Sequence, residues 1–228
     1  MRIKEIIRKN TWFFIPYLVI LLLVAIPLVV YPKTSLHLFI NSCHSSFWDF
    51  FFKYITNLGD GFFGVTVGVL FLLISFRKSF FILATYAGSG IFVQLLKRVI
   101  FSGIYRPVKF FEAISQLHLV EGVKMRYYFS FPSGHSASSF GLFLCLAMIS
   151  GNKTVKFCCL VLATLVAFSR VYLSQHFLID TYAGSIIGVI FALIMYRFVF
   201  LLPAGWVDKN LVNIAGRNKC INRKVHKV

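Results

Sequence analysis

Acidic residues are scarce in this chain, which holds seven Asp and Glu among 228 residues against 24 Lys and Arg. The few carboxylates form no cluster of the kind that holds Mg²⁺, and the six His form no zinc-type set. A reaction run here is therefore expected to need no metal or other cofactor. The five Cys are an odd number. Cys145, Cys158 and Cys159 fall in apolar runs and read as small packing residues, while Cys43 and Cys220 fall on opposite sides of the charge pattern described below, so no disulfide framework is expected. No repeat relates the two halves, and a single bundle without an attached soluble domain is expected.

What fills the chain instead is apolar: 58% of residues are hydrophobic, 27 are Phe and mean hydropathy is +0.80. That composition predicts a polytopic membrane protein of the all-α class. Six runs approach the length needed to cross the roughly 30 Å hydrocarbon layer as helices: 11–31, 61–76, 79–96, 133–150, 155–173 and 177–203. The second and fourth are short and rich in Gly or Ser, which suits packing inside a bundle. The first follows MRIKEIIRKN and is longer than a secretory signal core, so it is read as a retained span. The domain layout expected is an N-terminus of 1–10, a six-span bundle of 11–203 and a basic tail of 204–228.

Net charge is +17, and its placement decides what it means. Six spans put 15 of the 24 basic residues on one side: those before the first span, Arg77 and Lys78, Lys153 and Lys156, and those at or beyond the end of the last. By the positive-inside rule this side is cytoplasmic, with both termini. The tail is then a topology anchor or a contact for anionic lipid, not a nucleic-acid site.

Nine basic residues are left over on the opposite face, and seven of them lie in or next to three polar clusters. One is KRVIFSGIYRP, at 97–107, a second is FPSGHS, at 131–136, and a third is SRVYLSQHFLID, at 169–180. In the second, Pro132 suits a helix start, Ser133 offers a hydroxyl, Gly134 admits close backbone approach and His135 sits where free amides and the helix dipole favour an anion. In the third, His176 and Asp180 are spaced i, i+4, so the carboxylate can hold one imidazole nitrogen and leave the other as nucleophile or base; a buried pair bracing two helices is the alternative. Asp180 is the one acidic residue inside any of the six runs. Arg170, Arg106 and Lys97 bring positive charge to the same boundary. Together these groups suit phosphoryl transfer through a phosphohistidine, with arginines and amides stabilising the phosphoryl oxygens.

PSGH at 132–135, and SR-x5-H-x3-D at Ser169, Arg170, His176 and Asp180, resemble the second and third signature motifs of the type 2 phosphatidic acid phosphatase (PAP2) superfamily, in its bacterial membrane lipid phosphatase branch. The likeness extends over about 36–200, with 36–61 similar to the amphipathic lead-in before the second span. The first motif of that family is written K-x6-RP. Arg106 and Pro107 are present, but eight residues separate Lys97 from Arg106 and seven separate Arg98 from it, so either could fill the lysine role. The resemblance implies His176 as nucleophile, Asp180 as its orienting partner and His135 as acid for the leaving lipid oxygen and base for water. It further implies Lys97, Arg106, Ser133, Gly134 and Arg170 as the phosphate cradle, and a six-helix bundle with its active site at the periplasmic face of the bacterial cytoplasmic (inner) membrane.

A site at headgroup level favours a lipid phosphate over a soluble ester. The expected substrates are, in order, a phosphate of lipid A, undecaprenyl diphosphate, and phosphatidylglycerol phosphate or phosphatidate. The segment 108–128 mixes apolar with charged residues and could lie along the interface as a lid or as a plain connecting loop. Alternatives are a lipid phosphotransferase using the same histidine and a non-enzymatic anion or lipid transporter.

Overall fold

A computed structural model describes residues 3–114, 117–203, 205 and 209–211. Among these, every regular element is a helix. The expected basic tail lies outside the described residues apart from 205 and 209–211. A short α1 (Ile3–Lys9) leads into α2 (Thr11–Val30), which is apolar on all sides and buries only Phe13 and Tyr17, as a helix bathed in lipid would. The lead-in 36–61 folds largely as two short helices, α3 (Lys33–Ser42) and α4 (Ser46–Ile55). The α4 helix starts at Ser45, whose hydroxyl accepts from Trp48 N, and turns Phe52 inward while Phe47, Phe50 and Tyr54 stay exposed.

After a 3₁₀ turn, Thr56–Gly59, the Asp60 carboxylate accepts the Gly61 amide and opens α5 (Gly61–Leu70). The chain continues through α6 (Phe76–Leu95), the π-turn Leu96–Ile100, the one-turn α7 (Pro107–Phe111), α8 (Gly134–Ile149), α9 (Lys153–Tyr172) and α10 (Leu178–Leu201).

Among the described residues, four helices are long and apolar enough to cross a membrane: Thr11–Val30, Phe76–Ile100, Lys153–Tyr172 and Leu178–Leu201. The pair Ser46–Gly59 and Gly61–Leu73 adds a fifth at most and is bent by 53° where Asp60 interrupts the apolar run. The fourth predicted run yields the 16-residue α8, only about 24 Å long at 1.5 Å per residue. Length and hydropathy thus support four or five spans. The shortness of α8 has a physical basis: 11 of its 16 residues are buried, because α6, α9 and α10 pack around it and little of it meets lipid.

Close backbone contact holds that centre. A Cβ on Gly188 would stand 2.3 Å from the Ala137 carbonyl oxygen, and one on Gly184 2.4 Å from that of Ser133, so α10 lies directly on α8. Phe140, Leu144, Ala163, Val166 and Ala192 fill the space around this contact.

The two ends of the bundle differ in chemistry. At one, Arg77 donates to the carbonyls of Val199, Leu202 and Pro203 at the end of α10, and Lys156 donates to that of Lys9. At the other, the ends of α6 and α9, the starts of α8 and α10, α3, α4 and the stretches 101–114 and 117–133 converge. Those stretches are fastened to each other and to α4: Arg106 N donates to Tyr127 O, Ser130 N to Ile104 O, and His118 binds Asp49 of α4 at 2.8 Å.

Candidate active site

The turn 173–177 between α9 and α10 builds the heart of the site. Gln175 and His176 amides both donate to the Arg170 carbonyl, at 3.0 and 3.1 Å, and Ser174 takes a left-handed conformation (φ 53°), which folds the chain back sharply. His176 is thereby fixed with 1% exposure. Asp180 stands in the first turn of α10, where a negative charge suits the helix dipole. Its Oδ2 accepts from Phe177 N at 3.0 Å and from the Ser130 hydroxyl at 2.5 Å, and lies 3.3 Å from His176 Nδ1. Burial, followed by the charges of Arg106, Lys97 and Arg170, holds the His176 imidazole well below its usual pKa. A neutral ring with its Nδ1 proton toward Asp180 carries its lone pair on Nε2.

Three buried cations surround this ring. Lys97, Arg106 and Arg170 are 5%, 5% and 7% exposed, and no carboxylate among the described residues lies within ion-pair distance of any of them. Arg106 donates through Nε to Tyr128 O (2.9 Å) and through Nη1 to Gln175 O (3.1 Å) and Oε1 (3.4 Å). Burial and then Arg126 lower its pKa to about 10, which leaves it charged at neutral pH. Arg170 donates to Thr56 Oγ1 (2.8 Å) and Gln175 Oε1 (3.4 Å), while its buried Nε has no partner. Buried charges without counter-ions cost several kcal/mol each by order of magnitude, a cost that a bound anion removes.

A cavity of about 490 Å³ joins these groups. Lys97, Arg106, His135, Gly134, Arg170 and His176 line it, as do Arg98 and Arg126. Its wall is completed in part by Gly61 of α5 and Tyr86, Gly90, Ile91 and Gln94 of α6. A Cβ on Gly134 would meet only Val93, at 3.8 Å, so that glycine leaves open space at the start of α8. Among the described residues no three His, Cys, Asp or Glu side chains converge as a metal site would require.

The structure brings together six of the eight residues singled out from sequence on the cavity wall, with Asp180 directly behind His176. Ser133 is different: it is fully buried, caps α8 by accepting from Ser136 N (3.4 Å) and Ser136 Oγ (3.1 Å), and is not on the wall. Between the two residues that could fill the first-motif lysine role, Lys97 is the buried one and Arg98 is exposed at the lip.

Sequence reasoning passed over four residues. Gln175 bridges Arg106 and Arg170, and its position between Arg170 and His176 was the available signal. Ser130 supports Asp180 and lies two residues before the PSGH stretch, again a positional hint. Arg126 is one of the nine basic residues that the charge pattern puts on the site-bearing face, though not one of the eight site residues. Thr56, which holds Arg170 across 114 residues of chain, left no sequence signal.

Known proteins resemble the chain in sequence and in fold. The model of the PAP2 superfamily matches residues 78–203, more than half of the chain. A lipid A 4'-phosphatase of Bacteroides thetaiotaomicron is 27% identical over 161 residues, covering 68% of this chain and 71% of the relative. The crystal structure of Aquifex aeolicus LpxE shares the fold with a TM-score of 0.63 at 24% identity, covering 72% of this chain and 93% of that one. The transmembrane PAP2-type phosphatidylglycerolphosphate phosphatase from Bacillus subtilis does so with a TM-score of 0.61 at 20% identity, covering 86% and 98%. The chain thus belongs to the PAP2 superfamily and is an integral membrane phosphatase of that type.

Proposed function

We propose that the chain releases inorganic phosphate from an envelope lipid through a phosphohistidine on His176, without a metal. The observation that carries this is the buried, Asp180-held His176 facing a cavity with three buried cations that lack carboxylate partners.

The lipid phosphate binds with its oxygens on Lys97, Arg106, Arg170 and the amides at the start of α8. His176 Nε2 attacks phosphorus in line, the bond to the lipid oxygen breaks, and His135 gives that oxygen its proton. Asp180 stabilises the ring as it takes on positive charge, and the arginines stabilise the equatorial oxygens. His135, now neutral, takes a proton from water as water attacks the phosphohistidine. Inorganic phosphate leaves and His176 is restored. Lys97 fills the first-motif role, since it alone of the two candidates is buried among the other cations.

The lipid reaches the cavity between α5 and α6, where the wall is made of Gly61, Tyr86, Gly90 and Ile91 and its acyl chains can stay in the bilayer. A phosphate of lipid A is the first-choice substrate, in line with the name of the Bacteroides relative, followed by undecaprenyl diphosphate and then phosphatidylglycerol phosphate or phosphatidate. The topology that accompanies this is six spans, with α5 and α8 as the two short ones. Residues 1–10 and the tail 204–228 lie in the cytoplasm, and the site opens to the periplasm from the inner membrane. The 15 of 24 basic residues that fall in the sequence segments which six spans put on one side support this orientation.

The test is phosphate release by detergent-purified protein from these lipids with chelator present. Release that His176→Ala abolishes is the expected result; release that persists in His176→Ala, or that chelator stops, overturns the mechanism.

A further inference from the structure

Five cations line one cavity, and they divide into two sets. Lys97, Arg106 and Arg170 are buried at its floor around His176. Arg98 and Arg126 are exposed at its lip, one on the π-turn that ends α6 and the other on the segment that covers the site. Neither lip arginine makes an ion pair with a carboxylate of the described residues, and no acidic side chain lines the cavity.

Charge and space both exceed what one phosphate uses. A phosphate monoester carries about two negative charges at neutral pH, fewer than the three floor cations supply. Two positive charges at the lip are left over, and one of them, Arg126, is close enough to help depress the Arg106 guanidinium. A volume of about 490 Å³ lies within the ~300–1,000 Å³ range of pockets that take whole small molecules, well beyond one phosphoryl group. Arg98 and Leu95 flank the lip on the α6 side, next to Ile91, so a group held there would be joined to the scissile phosphate on the way back to the acyl chains.

We infer that Arg98 and Arg126 form a second anion subsite that takes a further phosphate-type group of the same lipid, so the preferred substrates carry two such groups. This rests on the phosphatase reading above, and it gives Arg98 a task distinct from that of Lys97. A planar guanidinium suits such a group because it offers two parallel donors to two oxygens.

The experiment compares wild type, R98Q/R126Q and R98K/R126K in the same detergent micelles. Two readouts are taken: kcat/KM for phosphatidylglycerol phosphate, with two phosphate groups, against phosphatidate, with one; and the dissociation constants of pyrophosphate and inorganic phosphate. Wild type favours the two-phosphate member of each pair. In R98Q/R126Q both preferences fall about tenfold, and R98K/R126K retains a large part of them. Preferences that are the same in wild type and R98Q/R126Q overturn the subsite, while phosphate release from either lipid leaves the phosphatase reading standing. A wild type that prefers pyrophosphate yet releases phosphate from no lipid overturns the phosphatase reading and keeps the subsite.

Discussion

Asp180→Asn keeps the shape of the side chain behind His176 and removes its charge. In the native site Oδ2 accepts from Phe177 N and the Ser130 hydroxyl and stands 3.3 Å from His176 Nδ1. A neutral amide oxygen can replace part of that set, but its NH₂ group faces donors and it cannot stabilise a ring that gains positive charge on phosphorylation. A hydrogen bond to a charged partner contributes about 1.5–3 kcal/mol against about 0.5–1.5 for a neutral pair. Losing it costs kcat roughly 10-fold at the lower end, and an inverted imidazole tautomer raises the loss toward ~10⁴, the effect of the matching change in a serine protease triad. KM stays within about threefold, since the floor cations are untouched. Steady-state phosphate release measures both constants, and a thermal melt checks that α10, whose first turn Asp180 also holds, still forms. A kcat within threefold of wild type, or a loss confined to KM, would refute the orienting role.

Two further predictions concern the scaffold. His37 is buried against Phe111 and Phe177 with Nε2 3.2 Å from Ser174 Oγ and no partner at Nδ1, and burial lowers its pKa from 6.5 to about 4. The unfolded chain therefore binds a proton that the folded one refuses between those values, so stability falls as pH drops from about 6.5 to about 4, by up to about 3 kcal/mol from this residue. Thermal midpoints measured across that range should decline in wild type and decline less in His37→Phe; parallel slopes would contradict the assignment. Gly188→Ala puts a Cβ 2.3 Å from the Ala137 carbonyl oxygen and should cost about 1–3 kcal/mol or prevent folding, whereas Gly151→Ala, with nothing within 4 Å, should not lower the melting temperature.

Much of the site could be read in the sequence because its residues sit in short local patterns. The i, i+4 spacing of His176 and Asp180, and the Pro132 to His135 stretch at a helix start, survive as geometry with little dependence on the rest of the fold. The helical class was equally plain from apolar run length. What local pattern could not reveal was long-range: Thr56 reaching Arg170, and Gln175 joining two arginines brought together from α9 and the start of α7. Nor could it reveal that the lead-in to the second span folds as two short helices at the site end, or that a π-turn sets Lys97 inward and Arg98 at the lip. The burial of Ser133 was hidden for the same reason. A serine before a helix reads alike whether it faces a ligand or caps its own helix, and here the packing of α10 on α8 decides.

The central claim is that phosphorus changes hands twice, first to His176 and then to water. Hydrolysis of a lipid thiophosphate made chiral with oxygen isotopes, carried out in isotopically labelled water by the purified protein, reads this directly. Two in-line displacements predict inorganic thiophosphate with retained configuration. Inversion would mean that water attacks the lipid phosphate in a single step, and His176 would then be no nucleophile.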